Sequence, residues 1–433
     1  MSEWTSFRNN GTPPSNLPVS LHPWTPGNKV KWRTELPGYG QSSPVSIGKL
    51  TFVTSVQGNM RDNNLVHAVD CVSGKLLWTQ RRATSLKHEM SYYVSRAAPS
   101  PVCDRAGVYA LFESGDLYAY RHNGTPMWTR NLGADYGVST NEFGLGSSPA
   151  QTQTSLILVQ DDPKQSYICS IAKATGETLW KKDREPRKSW TSPVIMRIAN
   201  RDCVVISANG DLDIYDVASG EHLANFTGLK GNVLASVTPN ADTVLIGATA
   251  AQARIAKPGA KLSPAESNCC IRLKTSGSTI TPEVVWTGEK SLSDFASPIV
   301  QGQLAYYVSA SGIVSSVDIA SGKIVYSERI DGECWATPIP TKSSILFFTK
   351  KGSTIGLAHG RTFRIEGKHA LWTESDAPRT KETFTTTSPG IPGGRGAGGA
   401  SGTDNMDPIL YATIATQHGL IYRTGSHLFR VSV

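Results

Sequence analysis

Short runs of alternating apolar and polar residues, such as Leu50-Thr51-Phe52-Val53-Thr54, recur along the chain, separated by clusters of Gly, Pro, Asp and Ser. A period of two is the pattern of a strand with one face in a core, and the clusters are turn chemistry. The runs are embedded in a longer repeat. Segment 68–78 reads Ala68-Val69-Asp70-Cys71-Val72-Ser73-Gly74-Lys75-Leu76-Leu77-Trp78, the pattern A-x-D-x-x-x-G-x-x-x-W. The frame recurs from Ser170 to Trp180, from Ile214 to Ala224 and from Ser316 to Tyr326, with a copy one residue shorter from Ala119 to Trp128 and degenerate copies ending at Trp286 and Trp372. The aromatic or equivalent position thus falls at 32, 78, 128, 180, 224, 286, 326 and 372, spaced 40 to 62 residues apart and about 49 on average. That spacing suits one four-stranded blade. The glycine supplies a turn that other residues resist, and the large aromatic seals one blade against the next. We therefore assign Trp32, Trp78, Trp128, Trp180, Trp286, Tyr326 and Trp372 to docking between blades.

A second marker keeps the same beat: Ser43-Pro44, Ser100-Pro101, Ser148-Pro149, Ser192-Pro193, Ser297-Pro298 and Thr337-Pro338, with weaker forms at Ala235-Ser236-Val237 and Ala412-Thr413-Ile414. Proline at a strand start sacrifices no ladder bond, so the runs that follow each marker are read as the innermost strands, lining a central channel. The eighth unit is split. Trp32 lies in Lys29 to Glu35 with no strands before it, whereas Ile409 to Val433 has strands but no closing tryptophan. Pairing the N-terminal strand with the C-terminal hairpin repairs both, and a closed ring removes exposed edges. The prediction is an all-β fold, an eight-bladed β-propeller with four-stranded antiparallel blades. Residues 1–27 form a surface-lying lead anchored by Trp4, Phe7 and Trp24; residues 28–433 form one propeller. Residues 28–36 and 409–433 share the closing blade, residues 250–267 interrupt blade five, and residues 376–407 insert a Gly-rich loop.

Composition narrows the class. Of 433 residues only 18% are charged, with 40 Gly, 25 Pro and 10 Trp, which fits many short strands rather than helices or disorder. The net charge of +8 is a mild excess on a chain this size. It has no Lys/Arg run interleaved with aromatics, so no nucleic-acid partner is expected. No apolar run approaches the roughly 20 residues that span a bilayer, and the N-terminus lacks a signal-peptide core. Seven cysteines, Cys71, Cys103, Cys169, Cys203, Cys269, Cys270 and Cys334, match no zinc or disulfide framework.

The A-x-D-x-x-x-G-x-x-x-W motif resembles that of the PQQ-like (pyrroloquinoline quinone-like) propellers, a superfamily that includes quinoprotein alcohol dehydrogenases and the outer-membrane protein assembly propeller lipoprotein. The opening Trp4-Thr5-Ser6-Phe7-Arg8-Asn9-Asn10-Gly11, Lys31-Trp32-Arg33-Thr34-Glu35-Leu36-Pro37-Gly38 and the closing Gly419-Leu420-Ile421-Tyr422-Arg423-Thr424 are similar to a branch of exported PQQ-like repeat proteins of planctomycete-type bacteria. The resemblance implies the fold and an exported location, periplasmic or at the cell surface, with a cytoplasmic one as the alternative. It leaves function open, because function sits in sites grafted onto a fold.

Chemistry is thin in the sequence. The adjacent Cys269-Cys270 resembles the vicinal disulfide that stacks on the quinone in the dehydrogenases, but its frame matches the third strand of blade five, which makes two ordinary strand cysteines. Gly394-Arg395-Gly396-Ala397-Gly398-Gly399 spells a dinucleotide fingerprint with no strand before it and no helix after it. His88-Glu89 lacks the second His of a zincin, and Asp161-Asp162 reads as a cation ligand or as a turn acid. Catalytic and metal residues are predicted as none, and no cofactor is expected; PQQ with Ca²⁺ belongs to the alternative reading alone. What remains is the channel mouth. Residues just before each Ser-Pro marker, namely Tyr39, Gln41, Arg96, Leu145, Trp190, Asp294, Phe295 and Trp335, ring one end of the axis, and Tyr39, Arg96, Trp190, Asp294 and Trp335 are the candidate ligand-binding set. The leading reading is a monomeric, non-catalytic scaffold for a protein or glycan partner. The alternatives are a PQQ-dependent dehydrogenase and a carbohydrate-active enzyme using mouth acids such as Asp294 and Glu142.

Overall fold

A computed structural model of the chain describes residues 3–13, 29–251, 259–290, 292–384 and 408–432. They form eight four-stranded antiparallel sheets in a ring. Blade one, for instance, runs Val45–Ile47, Leu50–Gln57, Asn63–Asp70, Leu76–Ala83 from the axis outward. Blades two to seven repeat that order along the chain. In blade eight the N-terminal strand Val30–Glu35 supplies the outer strand to Leu410–Thr416, Gly419–Thr424 and His427–Val431, with Trp32 opposite Arg430 and Glu35 opposite His427. Both ends of the ring therefore close one sheet. Trp24, the Gly-rich run Gly390 to Gly402 and residues 252–258 of the blade-five insertion lie outside the described residues. No helix of the described residues is long and apolar enough to cross a membrane.

The innermost strands differ from the sequence reading. In blades one to seven they are the two- to five-residue segments directly after each marker, such as Val45–Ile47 and Val102–Cys103, and in blade eight the seven-residue Leu410–Thr416. The longer run Leu50–Gln57 is the second strand, buried on both faces between neighbouring blades. Near the axis there is room for only a few residues per blade, too few to register as a periodic pattern. The core is a set of separate clusters between adjacent blades: Phe52 and Val66 of blade one meet Val108 and Tyr118 of blade two, and Leu346 and Phe348 of blade seven meet Leu420 and Phe429 of blade eight and Val53 of blade one. No blade buries its own faces alone, so each depends on its neighbours.

The repeat motif has two mechanical parts. Asp70, Asp216 and Asp318 each cap the turn that follows, taking the backbone N–H and hydroxyl of Ser73, Ser219 and Ser321. The turn glycine then lies under the tryptophan of the preceding blade: Gly74 under Trp32, Gly124 under Trp78, Gly176 under Trp128, Gly220 under Trp180 and Gly322 under Trp286, all at positive φ. Each indole N–H donates to a carbonyl of that neighbour, at Cys71, His122, Lys173, Val217 and Ile319, over 2.7–3.2 Å. Tyr326 instead packs edge-on against Phe363. In blade seven the register-equivalent position is Gly367, opposite Gly356 beside the strand bulge. Trp372 lies past the strand, stacked near Phe429 of blade eight and against Gly352 of its own blade.

A girdle of hydroxyls ties the inner strands together. The N–H of Ser43 donates to the Ser100 hydroxyl, Ser100 to Ser148, Ser148 to Ser192, Ser192 to Ser236, Ser236 to Ser297 and Ser297 to Thr337, over 2.8–3.3 Å. Ser236, in a marker without proline, serves as well as the others, so the hydroxyl rather than the proline is the working part.

The described part of the lead, residues 3–13, does not lie along the surface as expected. Residues 3–13 cross the channel and plug it. Trp4 exchanges backbone hydrogen bonds with Ser46 of blade one, Thr5 accepts from Cys103 and Gln151 of blades two and three, and the Asn10 amide pairs with the Ile195 backbone of blade four. The Arg8 guanidinium donates to the carbonyls of Ser236, Val237 and Pro298 and to the Thr238 hydroxyl in blades five and six. Converging strand starts leave unpaired carbonyls around the axis, and a chain segment bearing Arg and Asn is well suited to bond them.

Candidate functional site

The inner strands all start at one end of the ring, and the residues preceding them form a mouth that the lead closes from below. Tyr39 is buried there, its hydroxyl 2.8 Å from that of Tyr411. The Arg96 guanidinium stacks 4.6 Å over the Tyr39 ring and 4.9 Å over Phe384, and donates to the Ser91 carbonyl and the Tyr411 hydroxyl. Trp335 lies 6.4 Å from Tyr411 on one side and 5.1 Å from Phe295 on the other. Lys350 caps the Trp335 ring at 4.5 Å. Phe295 ends this row and is 43% exposed. Tyr39, Arg96 and Trp335 are thus joined in one aromatic and cationic wall through Tyr411.

The other two candidates serve other contacts. Trp190 donates to the Gly144 carbonyl and packs on Phe143. Asp294 accepts from the Thr249 hydroxyl and the Ala310 N–H, which holds the loops of blades five and six. Glu142, the other mouth acid considered, is ion-paired to Lys188 at 2.7 Å. Gln41 bonds the Arg96 backbone in both directions, and Leu145 is buried. Tyr411, Lys350 and Phe384 are the additions. Tyr411 directly precedes the weak marker Ala412-Thr413-Ile414 and was legible by the same rule as its neighbours. Phe384 comes from outside the repeat and carried no signal.

Behind the wall and above the plug is a cavity of about 160 Å³, lined by Trp4, Phe7 and Arg8 of the lead, Phe295, Trp335, Tyr411 and Thr413 among others. A larger cleft of about 600 Å³ lies between blades three and four. Its wall is a buried ionic cluster in which Arg184 pairs with Asp161 at 3.0 Å and Asp213 at 3.3 Å, and Arg187 with Asp211 and Asp213 at 3.0 Å. The His222 hydrogen bond and the two guanidinium groups outweigh burial to hold Asp213 down to about 2, whereas burial pushes Asp161 upward. Asp162 accepts from Thr140, Lys164 and Gln165 backbone N–H groups, the arrangement of a turn acid.

The pair Cys269-Cys270 lies in the third strand of blade five, Cys269–Ser276. Both thiols are free and buried, Cys269 in the core shared with blade four and Cys270 in that shared with blade six. Successive strand residues point to opposite faces, so the pair does not present the sulfur platform that a quinone would stack on. The 160 Å³ cavity is also below the roughly 300 Å³ at which small-molecule sites begin. PQQ therefore does not fit the residues present. Among the described residues no group of three or more His, Cys, Asp or Glu is placed to hold a metal ion.

Comparison with known proteins agrees with the architecture. A family model described as outer membrane protein assembly factor BamB matches residues 21–147 and 138–328. BamB of Salmonella typhimurium and of Escherichia coli are each 28% identical over 186 residues, which is 43% of this chain. The match spans 42% of the length of these relatives. The crystal structure of BamB from Moraxella catarrhalis superposes with a TM-score of 0.58 at 11% identity, covering 93% of this chain and 99% of that one. The quinohemoprotein alcohol dehydrogenase ADHIIG from Pseudomonas putida HK5 reaches 0.53 at 10% identity, covering 99% of this chain and 80% of that one. Two proteins of different function match about equally well, so these superpositions speak to fold alone.

Proposed function

The chain belongs to the PQQ-like propeller family whose model is described as outer membrane protein assembly factor BamB, and from that membership we propose that it is a non-catalytic scaffold, exported and acting through a protein partner held at the channel mouth. The observation that carries the reading is the row Phe295–Trp335–Tyr411–Tyr39, backed by Arg96 and Lys350. Aromatic and Arg side chains are those that dominate protein interfaces, and here packing between blades fixes them before any partner arrives. The relatives are named for assembly of outer membrane proteins, which favours a protein over a sugar as the partner.

The test is a photo-crosslinking residue at Phe295, with a second at Leu179, which is exposed on the outer strand of blade three. A partner at the mouth yields one dominant adduct from position 295 that Trp335→Asp abolishes. Equal adducts from both positions would refute the placement. Saturation of the mouth by an oligosaccharide would turn the partner from protein to glycan. Alcohol-dependent dye reduction after addition of PQQ and Ca²⁺ would restore the dehydrogenase reading.

A further inference from the structure

The aromatic row at the mouth continues past Tyr39. Phe384 meets the Tyr39 ring at 4.8 Å and the Tyr92 ring at 4.7 Å, and the Arg96 guanidinium lies 4.9 Å over its face. Arg96 is thereby boxed by three rings and is 1% exposed. Tyr39 and Tyr92 lie on the loops that lead into the inner strands of blades one and two. Phe384 has another origin. It ends residues 377–384, which follow blade seven, run past the outer strand of blade eight and enter no sheet. The attachments of that segment are side-chain bonds in or near water. The Glu382 carboxylate accepts the Gly58 N–H at 3.4 Å, the Thr383 hydroxyl donates to Asn59 at 2.9 Å, and Lys381 pairs with Glu35 at 2.8 Å, both exposed. Exposed pairs of this kind hold little, so the half-buried Phe384 is the main anchor of a segment with few contacts to keep it in place.

We infer that the seat of Phe384 is a recognition pocket for an aromatic residue of the partner's chain, with an acidic residue two positions before it, and that residues 382–384 hold the pocket until the partner displaces them. The inference names the partner's chemistry and rests on the reading that the mouth takes a protein. Three features support it. The seat is fixed by the core that blades one and two share, including Met90 and Ala97, whereas its occupant arrives on a segment outside every sheet. A guanidinium set against rings favours an aromatic face over an aliphatic side chain of similar size. Beside the ring, the Gly58 N–H takes a carboxylate and Asn59 takes a hydroxyl, so the surface already reads a peptide of the form Glu-Thr-Phe. While its own segment fills the seat, a competitor's apparent affinity falls by the fraction of molecules in which the seat is open.

The test titrates the full chain into a fluorescent, C-terminally amidated peptide of residues 375–384, Ser-Asp-Ala-Pro-Arg-Thr-Lys-Glu-Thr-Phe, followed by polarisation. Phe384→Ala in the protein empties the seat, and Glu382→Ala loosens the segment while leaving its ring; circular dichroism checks that both keep the fold. Phe384→Ala binds the peptide about tenfold more tightly than the unaltered chain, and Glu382→Ala by a smaller factor. A peptide carrying Phe384→Leu binds the emptied seat about fivefold more weakly, and one carrying Phe384→Ala does not bind. Adding Tyr92→Ala to the emptied protein weakens the parent peptide. Equal affinity of the unaltered chain and Phe384→Ala overturns the inference. So does equal binding of the phenylalanine and leucine peptides, and so does binding that Tyr92→Ala leaves undiminished. The crosslinker at position 295 separates this inference from the scaffold reading. A dominant adduct there with no peptide bound by Phe384→Ala overturns the aromatic motif alone. Peptide bound at the seat with equal adducts from positions 295 and 179 refutes the partner's placement at the mouth and leaves the pocket standing.

Discussion

Replacing Gly322 by alanine isolates what the docking turn contributes. The residue sits at φ +73°, and a Cβ added there would lie 2.5 Å from Cγ of Trp286 and 2.7 Å from its Cβ and Cδ2. Gly277, at the tip of the blade-five hairpin, has φ +59° and nothing within 4 Å of an added Cβ. Both substitutions incur the left-handed backbone cost of about 1–2 kcal/mol. Only Gly322→Ala also forces the indole back, adding about 1–3 kcal/mol of overpacking. It strains as well the 2.7 Å bond from Trp286 to the Ile319 carbonyl, worth about 1 kcal/mol. We expect Gly322→Ala to lose at least about 2 kcal/mol more than Gly277→Ala in urea unfolding followed by circular dichroism. In a Trp286→Ala background the excess should vanish, giving a coupling of about 2 kcal/mol between two residues in contact. Equal losses at the two glycines, or additive effects of Gly322→Ala and Trp286→Ala, would refute the claim that the glycine is there for the tryptophan.

Acid is expected to weaken the ring through two buried histidines. Burial, with Arg423 nearby, pushes His67 down to about 3 and burial pushes His427 to about 4, so the unfolded chain binds protons that the native one does not. That stability is whole above about pH 6.5 and is lost as pH falls from there toward the folded values, about 2 kcal/mol per histidine by pH 5; His67→Gln should remove one proton from the pH slope of urea unfolding, and an unchanged slope counts against it. Arg184→Met leaves Asp161 buried without its cation and Asp213 with Arg187 alone, and should cost about 3–5 kcal/mol, against under about 1 for Arg197→Met at the exposed Asp202 pair; similar losses in the two variants would contradict the burial argument. All seven thiols are buried, and burial pushes Cys71, Cys203 and Cys270 up to about 11. Thiol reagents should therefore label the native protein only as fast as it opens, and mild oxidation should not bridge Cys269 to Cys270; a bridged peptide from folded protein would show the opposite.

The ring was readable because its parts repeat. Turn cap, positive φ and seal each need a specific residue, as at Asp70, Gly74 and Trp78, and the set recurs, whole or in part, around most of the ring. Where a blade meets the need differently the signal slips: Trp372 resembles the marker, but the register position is Gly367, and the Trp–Phe429 contact seals that seam from beyond the strand. The innermost strands were misplaced because most of them have two or three residues, too few to show a period. The plug was invisible for another reason. Thr5 and Trp4 bind through backbone atoms, which leave no trace in residue type, and Arg8 and Asn10 find partners more than 180 residues away. At the mouth, Tyr39, Arg96 and Trp335 follow from the marker rule, whereas Phe384 arrives from a segment with no repeat to predict it.

The shared closing sheet has a temporal consequence. Within the ring, Val30–Glu35 leaves the ribosome before every other strand, and its partner His427–Val431 after them all. Throughout synthesis the early strand offers an unsatisfied edge and Trp32 has a seat on Gly74 but no sheet of its own. Blades one to seven have only local partners to find, so they can assemble as they emerge, while the final seam waits for the last strand of the ring. The slow and vulnerable step of maturation is then a single zipping event between the ring's first and last strands. Any factor that shields the nascent strand until release would act on that one edge.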